Sequence, residues 1–245
     1  MAAHHALLRS LASLTPVPLR SWASFSSRQH RVSPIKVERT CRDVVRDADP
    51  VFLEQLSASR PGPGSISSSE FNQRLRTAVS RALRLGLADS RGLRILDVGC
   101  GAGFFIAVAK HFQHDCLGTD IPAERIAAPV AKTYDTCLRA FRCYEQRSVL
   151  TVQPYVPLPL SESFDLITAG LICFNEYPSG ATWSRPEWEF FIADVTKHLR
   201  PGGRLYLEFN EQPHYSRLRW YDGPTQAFLS RSGVLTGNKF VYAAR

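Results

Sequence analysis

Two patterns of apolar residues alternate along the chain from about residue 67 onward. Stretches with an apolar residue every three or four positions are followed by short continuous apolar runs that close on glycine, aspartate or asparagine. The first pattern predicts helices with one buried face, and the second is typical of strands that are buried on both faces of a sheet. The predicted strands are 93–99, 115–120, a segment within 147–153, 164–170 and 203–210.

Capping and breaking residues predict where the helices begin and end. Ser67 and Glu70 have the spacing of a capping box, in which each side chain binds a free backbone amide, and Ser184 and Glu187 repeat that spacing. Gly86 is placed to end the helix that follows Ser67. The predicted helices are 49–57, 67–86, a stretch through 104–109, 122–141, 185–199 and 226–231.

The order of these elements predicts the fold class. Alternating strands and helices imply a mainly parallel sheet that is covered by helices on both faces. Near the C-terminus, Gly237 and Asn238 separate a short strand from a longer one, which predicts a hairpin. We therefore predict a doubly wound α/β fold with a mainly parallel, seven-stranded sheet and a C-terminal antiparallel hairpin at one edge.

The first 37 residues differ in composition from the rest of the chain. They contain five basic residues and no acidic residue, and the leucines between Leu7 and Leu14 recur at helical spacing. This composition is typical of an organellar transit peptide, so we expect a mitochondrial location, or a cytoplasmic one if the start codon is misassigned. The predicted organisation is a leader or disordered tail at 1–37, a lead-in segment and loop at 38–66, and the folded domain at 67–245.

Charge, hydropathy and cysteine spacing argue against several classes of function. The net charge is +8, but the leader contributes most of it, so the remaining chain is nearly balanced and no nucleic-acid partner is expected. No apolar run approaches the roughly 18 residues that cross a bilayer, so no membrane span is expected. The six cysteines include no C-x-x-C pair, which argues against a metal site and favours reduced, buried thiols.

The first predicted strand leads through a glycine-rich turn into a helix. Asp97 is followed by Gly99, Cys100, Gly101 and Gly103. In a doubly wound sheet, ligands bind beyond the carboxyl ends of the strands, where the strand order reverses. Glycines at that place let a cofactor lie directly against the backbone, and the amide end of the next helix attracts a negative group. Asp97 is placed to pair with an ammonium group.

The second predicted strand ends in Asp120, 21 residues after Gly99. A carboxylate at a strand end suits the adjacent hydroxyls of a ribose. A nicotinamide dinucleotide site is the rival interpretation, but it requires G-x-G-x-x-G, and Phe104 occupies the last glycine position. Asp97 would also face the pyrophosphate of that cofactor. The pattern therefore favours a cofactor with an amino-acid end and a ribose.

The segment ILDVGCGAG at 95–103 resembles the first motif of class I S-adenosylmethionine-dependent methyltransferases. Asp120 is similar to the acidic ribose-binding residue of that family, 164–170 to its fourth-strand motif, and 198–210 to the segment that leads into its fifth strand. The resemblance covers about 70–245. It implies S-adenosyl-L-methionine (SAM) as the cofactor and methyl transfer to an acceptor, which we expect to be a small molecule.

The resemblance also implies roles for individual residues. Asp97 would bind the amino group of the methionine part, Asp120 the ribose, and Ile121 would border the adenine. The family often has an acidic residue for adenine after the third strand, whereas 151–160 contains none, so Gln153 or a backbone group is the alternative. The implied cofactor-binding residues are Asp97, Gly99, Cys100, Gly101, Gly103, Asp120 and Ile121.

The acceptor is expected over the ends of the fourth and fifth strands, where a base would take up its proton. Glu176 and His214 follow these strands and are the candidate catalytic bases, and the alternative for both is a solvated loop residue. A nucleophilic role for Cys100 is disfavoured, because no histidine lies near it in sequence. Since no substrate-side motif is recognisable, a non-catalytic SAM-binding partner subunit is the alternative function, followed by a nicotinamide-dependent oxidoreductase.

Overall fold

The computed structural model describes residues 32–58, 66–172, 182–210 and 220–244, whose strands form one seven-stranded sheet. The strands are β1 (Arg94–Val98), β2 (Asp115–Asp120), β3 (Arg147–Val149), β4 (Phe164–Ile172), β5 (Leu199–Phe209), β6 (Val234–Thr236) and β7 (Lys239–Ala243). Their order in the sheet is β3-β2-β1-β4-β5-β7-β6. β1 to β5 pair in parallel, whereas β7 is antiparallel to both β5 and β6. The predicted doubly wound fold with a C-terminal hairpin is confirmed.

The helices cover the sheet on both faces. They are α1 (Pro34–Arg46), α2 (Pro50–Ala58), α3 (Ser68–Arg84), α4 (Phe104–His111), α5 (Ala128–Ala140), α6 (Arg185–Val195) and α7 (Gly223–Ser232). One buried core joins α1, α3, α4 and α5 to alternate sheet residues such as Ile95 and Leu166. A second core joins α6 and α7 to their neighbours Leu96 and Ile167 on the opposite face. No helix within the described residues is long and apolar enough to cross a membrane.

The strand order reverses between β1 and β4. From β1 the chain proceeds outward to β2 and β3, and it then returns to place β4 on the other side of β1. Asp97 of β1 lies opposite Thr168 of β4 and Gly118 of β2. This pairing creates the crevice at the carboxyl ends of β1 and β4 in which doubly wound proteins bind their ligands.

The capping box that begins α3 is present as predicted. The Ser67 hydroxyl accepts a hydrogen bond from the backbone N–H of Glu70 at 3.2 Å, and the Glu70 carboxylate accepts one from the N–H of Ser67 at 2.9 Å. The predicted helix at 122–141 was wrong at its start, because the chain forms a short 3-10 turn at Ala123–Arg125 before α5 begins. Pro129 explains the break, since a proline is tolerated in the first turn of a helix but not in its interior.

The segment before α3 packs on the domain. In α1, Val37, Thr40 and Val44 are buried, and Glu38 forms an ion pair with Arg76 of α3 at 2.6 Å. The predicted division between 37 and 38 therefore falls inside a packed helix. Residues 1–31, most of the expected leader, lie outside the described residues, so the leader stays a prediction.

Candidate functional site

A cavity of about 390 Å³ lies at the carboxyl end of β1. Its walls are α3 on one side and the loop between β1 and α4 on the other. α3 contributes Glu70 and Arg81, the β1 side contributes Asp97 and Gly101, and α5 contributes Tyr134. The cavity thus stands at the switch point of the sheet and combines buried charges of both signs with exposed backbone.

The loop that borders this cavity depends on glycine. Gly99, Gly101 and Gly103 all have positive φ, at 72°, 52° and 75°, where a side chain would be strained. The backbone N–H groups of Gly99 and Cys100 donate to the carbonyl of Thr119 at 2.7 and 2.9 Å, which ties the loop to β2. The loop therefore turns sharply from β1 into α4, and Gly99 and Gly101 line the cavity without a side chain.

The glycines of the loop differ in what surrounds them. A Cβ at Gly103 would lie 2.5 Å from Leu138 and 3.0 Å from the Cys143 sulfur. These neighbours leave no room for a side chain at this position. The atoms nearest to a Cβ at Gly101 would be those of the Tyr134 side chain, at 3.6 Å. Gly101 is accordingly a position where a side chain would enter the open cavity rather than the core.

Asp97 is a buried carboxylate that faces the cavity. Its side chain is 3% exposed, and burial raises its pKa to about 6, with Arg81 partly opposing that rise and Asp120 adding to it. Its Oδ1 atom has no hydrogen-bond donor among the described residues. A carboxylate oxygen that is removed from water and left without a donor suits a positively charged ligand group.

Asp120 ends β2 beside the glycine loop. Its Oδ2 atom accepts a hydrogen bond from the N–H of Gly101 at 2.7 Å, and its Oδ1 atom accepts one from the N–H of Ile121 at 2.8 Å. Each oxygen keeps a second lone pair. Asp120 therefore fixes the loop and retains acceptor capacity for ligand hydroxyls, and Ile121 follows it as a half-buried residue.

The cysteines of this region are packing residues. Burial, together with the nearby carboxylates, raises the pKa of the Cys100 thiol, so its nucleophilic thiolate is suppressed at neutral pH. A Cβ at Gly118 would lie 2.7 Å from the Cys100 sulfur, which shows that this thiol fills space against β2. Among the described residues, no three His, Cys, Asp or Glu side chains are grouped to hold a metal ion.

Of the remaining predicted residues, the structure describes Gln153 but not the two candidate bases. Glu176 and His214, the two candidate bases, lie outside the described residues. Gln153 is exposed in the irregular segment that follows β3. Glu162, the first acid after that segment, pairs with Arg94 at 2.5 Å and so belongs to the opposite, amino end of β1.

Arg81, Tyr134 and Gly170 are among the cavity residues that sequence reasoning missed. Arg81 lies three positions after Ala78 on the buried stripe of α3, and a charged residue on that stripe was the available signal. Tyr134 and Gly170 carried no signal, because α5 and the end of β4 reach the cavity only through the order of strands in the sheet.

Part of the chain is similar to a known protein family and to solved structures. Residues 96–207 match a family model that is described as a methyltransferase domain. No curated protein matches the chain. Similar solved structures include the glycopeptide N-methyltransferase MtfA, with 15% identity over 57% of this chain and 54% of that chain at a TM-score of 0.40.

Two further solved structures show the same low level of similarity. One is CalS10, an amino pentose methyltransferase from Micromonospora echinaspora bound to SAM, with 24% identity over 64% of this chain and 61% of that chain at a TM-score of 0.40. The other is a SAM-dependent methyltransferase from Mesorhizobium loti, with 23% identity over 53% and 52% at a TM-score of 0.34. The matched part is thus about half the length of these proteins. The family match over 96–207 and the strand order of the sheet both support a class I SAM-dependent methyltransferase.

Proposed function

We propose that this chain binds SAM in the cavity between α3 and the glycine loop and transfers its methyl group to a small-molecule acceptor. The observation that carries the proposal is the placement of three positive-φ glycines between two acidic strand ends, Asp97 and Asp120. A cofactor matches this arrangement if it carries an ammonium group and a ribose and can lie directly against the loop backbone between them. The buried Oδ1 atom of Asp97, which lacks a donor among the described residues, supports the fit with the ammonium.

Each residue of the loop has a separate task in this proposal. Asp97 binds the ammonium of the methionine part, and Asp120 accepts hydrogen bonds from the ribose hydroxyls. Ile121 borders the adenine. The amide end of α4, which Gly103 caps, adds a partial positive charge toward the carboxylate end of the cofactor.

The chain contributes to the reaction mainly by positioning. When bound, the cofactor supplies an electrophilic methyl group on a sulfonium. Holding that group and the acceptor in line converts a bimolecular displacement into an effectively unimolecular step, which is a large part of what enzymes supply. Glu176 and His214 remain our proposed bases for an acceptor that must lose a proton.

A methyl-label screen tests the proposed transfer. The full chain is incubated with SAM that is labelled in its methyl group and, in separate samples, with small-molecule, protein and nucleic-acid extracts. Label in an acceptor supports the enzyme. Binding of SAM without transfer to any small molecule, protein or nucleic acid would instead support the partner-subunit alternative.

The pKa of Asp97 predicts how cofactor affinity depends on pH. Because burial raises this pKa to about 6, the carboxyl is ionised near pH 7 and becomes protonated as the pH falls through about 6. A bound ammonium lowers the pKa of a carboxyl, so below about pH 6 binding must displace a proton, and SAM affinity should fall by up to about tenfold per pH unit.

Calorimetry at about pH 7 and pH 5 measures this dependence. Asp97→Asn cannot titrate, so it should bind weakly and with much less change between the two pH values. Equal affinity of the unmodified chain at both pH values would show that Asp97 does not bind the ammonium.

A further inference from the structure

Glu208 is a buried carboxylate near the carboxyl end of β5. The residue is 8% exposed and is the last but one of the strand. In the sheet it pairs with Gly170 of β4, which lines the cavity, and with Lys239 of β7. Alternate residues of a strand face the same side, so Glu208 faces the side of Tyr206, which belongs to the core beneath α3. Glu208 therefore lies on the cavity side of the sheet, one strand beyond Gly170.

The carboxylate of Glu208 is held only loosely by the protein. Its Oε2 atom is 3.5 Å from the Tyr206 hydroxyl, at the outer limit of a hydrogen bond. Its Oε1 atom is 3.9 Å from Nζ of Lys239, beyond hydrogen-bond distance. A buried carboxylate that served only the fold would close to contacts of about 2.5–2.9 Å, because the desolvation of a charge is offset only by good geometry. Glu208 thus keeps acceptor capacity that these neighbours do not use.

Arg81 is the nearest internal cation of α3 that could satisfy Glu208, and the two do not pair. The guanidinium lies across Gly170, the strand neighbour of Glu208, where a Cβ would overlap Nη1. Its Nε and Nη1 atoms have no acceptor within the described parts of the chain. The ion pair that Arg81 forms there, at 3.7 Å, is with Asp97. A carboxylate that stays unpaired beside a cation with unused donors remains available to a ligand.

The proposed placement of the cofactor directs its methyl group toward Glu208. A sulfonium carries three substituents, which in SAM are the methionine chain, the ribosyl group and the methyl group. Asp97 on β1 would bind the first and Asp120 on β2 the second, whereas β4 and β5 lie on the other side of β1. The methyl group is left for that side. Glu208 is two strands from β1, roughly 10 Å at the usual strand spacing, which leaves room for the methyl group and an acceptor atom between them.

We propose that Glu208 is a catalytic residue that binds the acceptor through an O–H or N–H group and takes up its proton during methyl transfer. The lone pair of the oxygen or nitrogen forms the bond to the methyl carbon, the electron pair of the carbon–sulfur bond stays with sulfur, and the proton moves to the Glu208 carboxylate. The acceptor is thereby a small molecule with a hydroxyl or amino group at the methylated atom. This inference rests on the proposed function, and it adds to Glu176 and His214 a base within the sheet.

Glu208→Gln tests the assignment, because glutamine keeps the size of the side chain but cannot take up the proton. The assay uses methyl-labelled SAM and the extract that accepts label from the unmodified chain. We expect the transfer rate to fall about 100- to 10,000-fold, the range for loss of a general base, while calorimetry shows unchanged affinity for SAM. Glu208→Asp, which keeps the carboxylate, should recover part of the rate.

Tyr206→Phe and Lys239→Met are the matched controls, because they remove the two protein contacts of Glu208. Both should keep the transfer rate of the unmodified chain to within a few-fold. If Glu208 were only a structural partner of these residues, their variants would lose as much activity as Glu208→Gln, and the proposal would be wrong.

Undiminished transfer by Glu208→Gln would also overturn the proposal. If that variant does not fold, the labelled product of the unmodified chain decides. Label on an oxygen or nitrogen that carried a hydrogen supports the role of Glu208, and label on any other atom excludes it. Absence of transfer by the unmodified chain to every extract would instead refute the proposed function.

Discussion

Gly101→Arg is expected to abolish SAM binding and methyl transfer while the domain stays folded. Gly101 has a φ of 52°, and the nearest group to a Cβ there is the Tyr134 ring at 3.6 Å, so the new side chain would extend into the cavity. It would occupy the space of the methionine part and bring a positive charge toward the sulfonium. The backbone strain of a positive φ costs about 1–2 kcal/mol, which a domain with about 5–15 kcal/mol of stability tolerates.

Gly202→Arg is the control for this substitution. Gly202 has a φ of 74°, and nothing lies within 4 Å of a Cβ at this position in β5, so the change introduces similar strain and the same charge away from the cavity. Calorimetry with SAM should show wild-type affinity for Gly202→Arg and no measurable binding for Gly101→Arg. Retained SAM affinity in a folded Gly101→Arg protein would show that the cofactor does not lie on the glycine loop.

The second large effect concerns stability, since Gly103→Val should lower the free energy of unfolding by about 3–5 kcal/mol. Gly103 has a φ of 75°, which is especially unfavourable for a β-branched residue. The added Cβ would lie 2.5 Å from Leu138 and 3.0 Å from the Cys143 sulfur. Both neighbours are fully buried, so the core must shift to accept the new side chain.

Urea unfolding measures this loss, with Gly202→Val as its partner. Because nothing lies within 4 Å of a Cβ at Gly202, that variant should show the backbone strain alone, about 1–2 kcal/mol. The difference between the two losses reports the overlap with Leu138 and Cys143. Equal losses would mean that α5 can move away from the loop without cost.

Much of this fold was predictable from sequence because short sequence patterns mark where its helices and strands begin and end. β2 matches its predicted range, since DCLGTD is a continuous run that turns polar where the strand ends. Ser67 and Glu70 located the start of α3 because the capping box is satisfied within four residues. The start of α5 was misjudged because Pro122 was taken as the first helical residue, whereas Pro129 stands in the first turn of the helix.

The candidate site was predictable only in part, for a related reason. Asp97, the glycines and Asp120 adjoin the ends of β1 and β2, so the motif and the strand pattern identify them together. Arg81 reaches the cavity because α3 packs on α4, and Gly170 reaches it because β4 pairs with β1. A linear pattern does not encode that juxtaposition.

The central claim is that the loop between Asp97 and Asp120 binds SAM, and calorimetry with SAM and NADH on the same preparation tests it most directly. We predict binding of SAM and no heat with NADH. Asp120→Ala should weaken SAM binding by about 1–3 kcal/mol, through loss of the charge-assisted contacts with the ribose. Asp115→Ala, at the exposed opposite end of β2, should leave the affinity unchanged. Tight binding of NADH with no response to SAM would contradict the account.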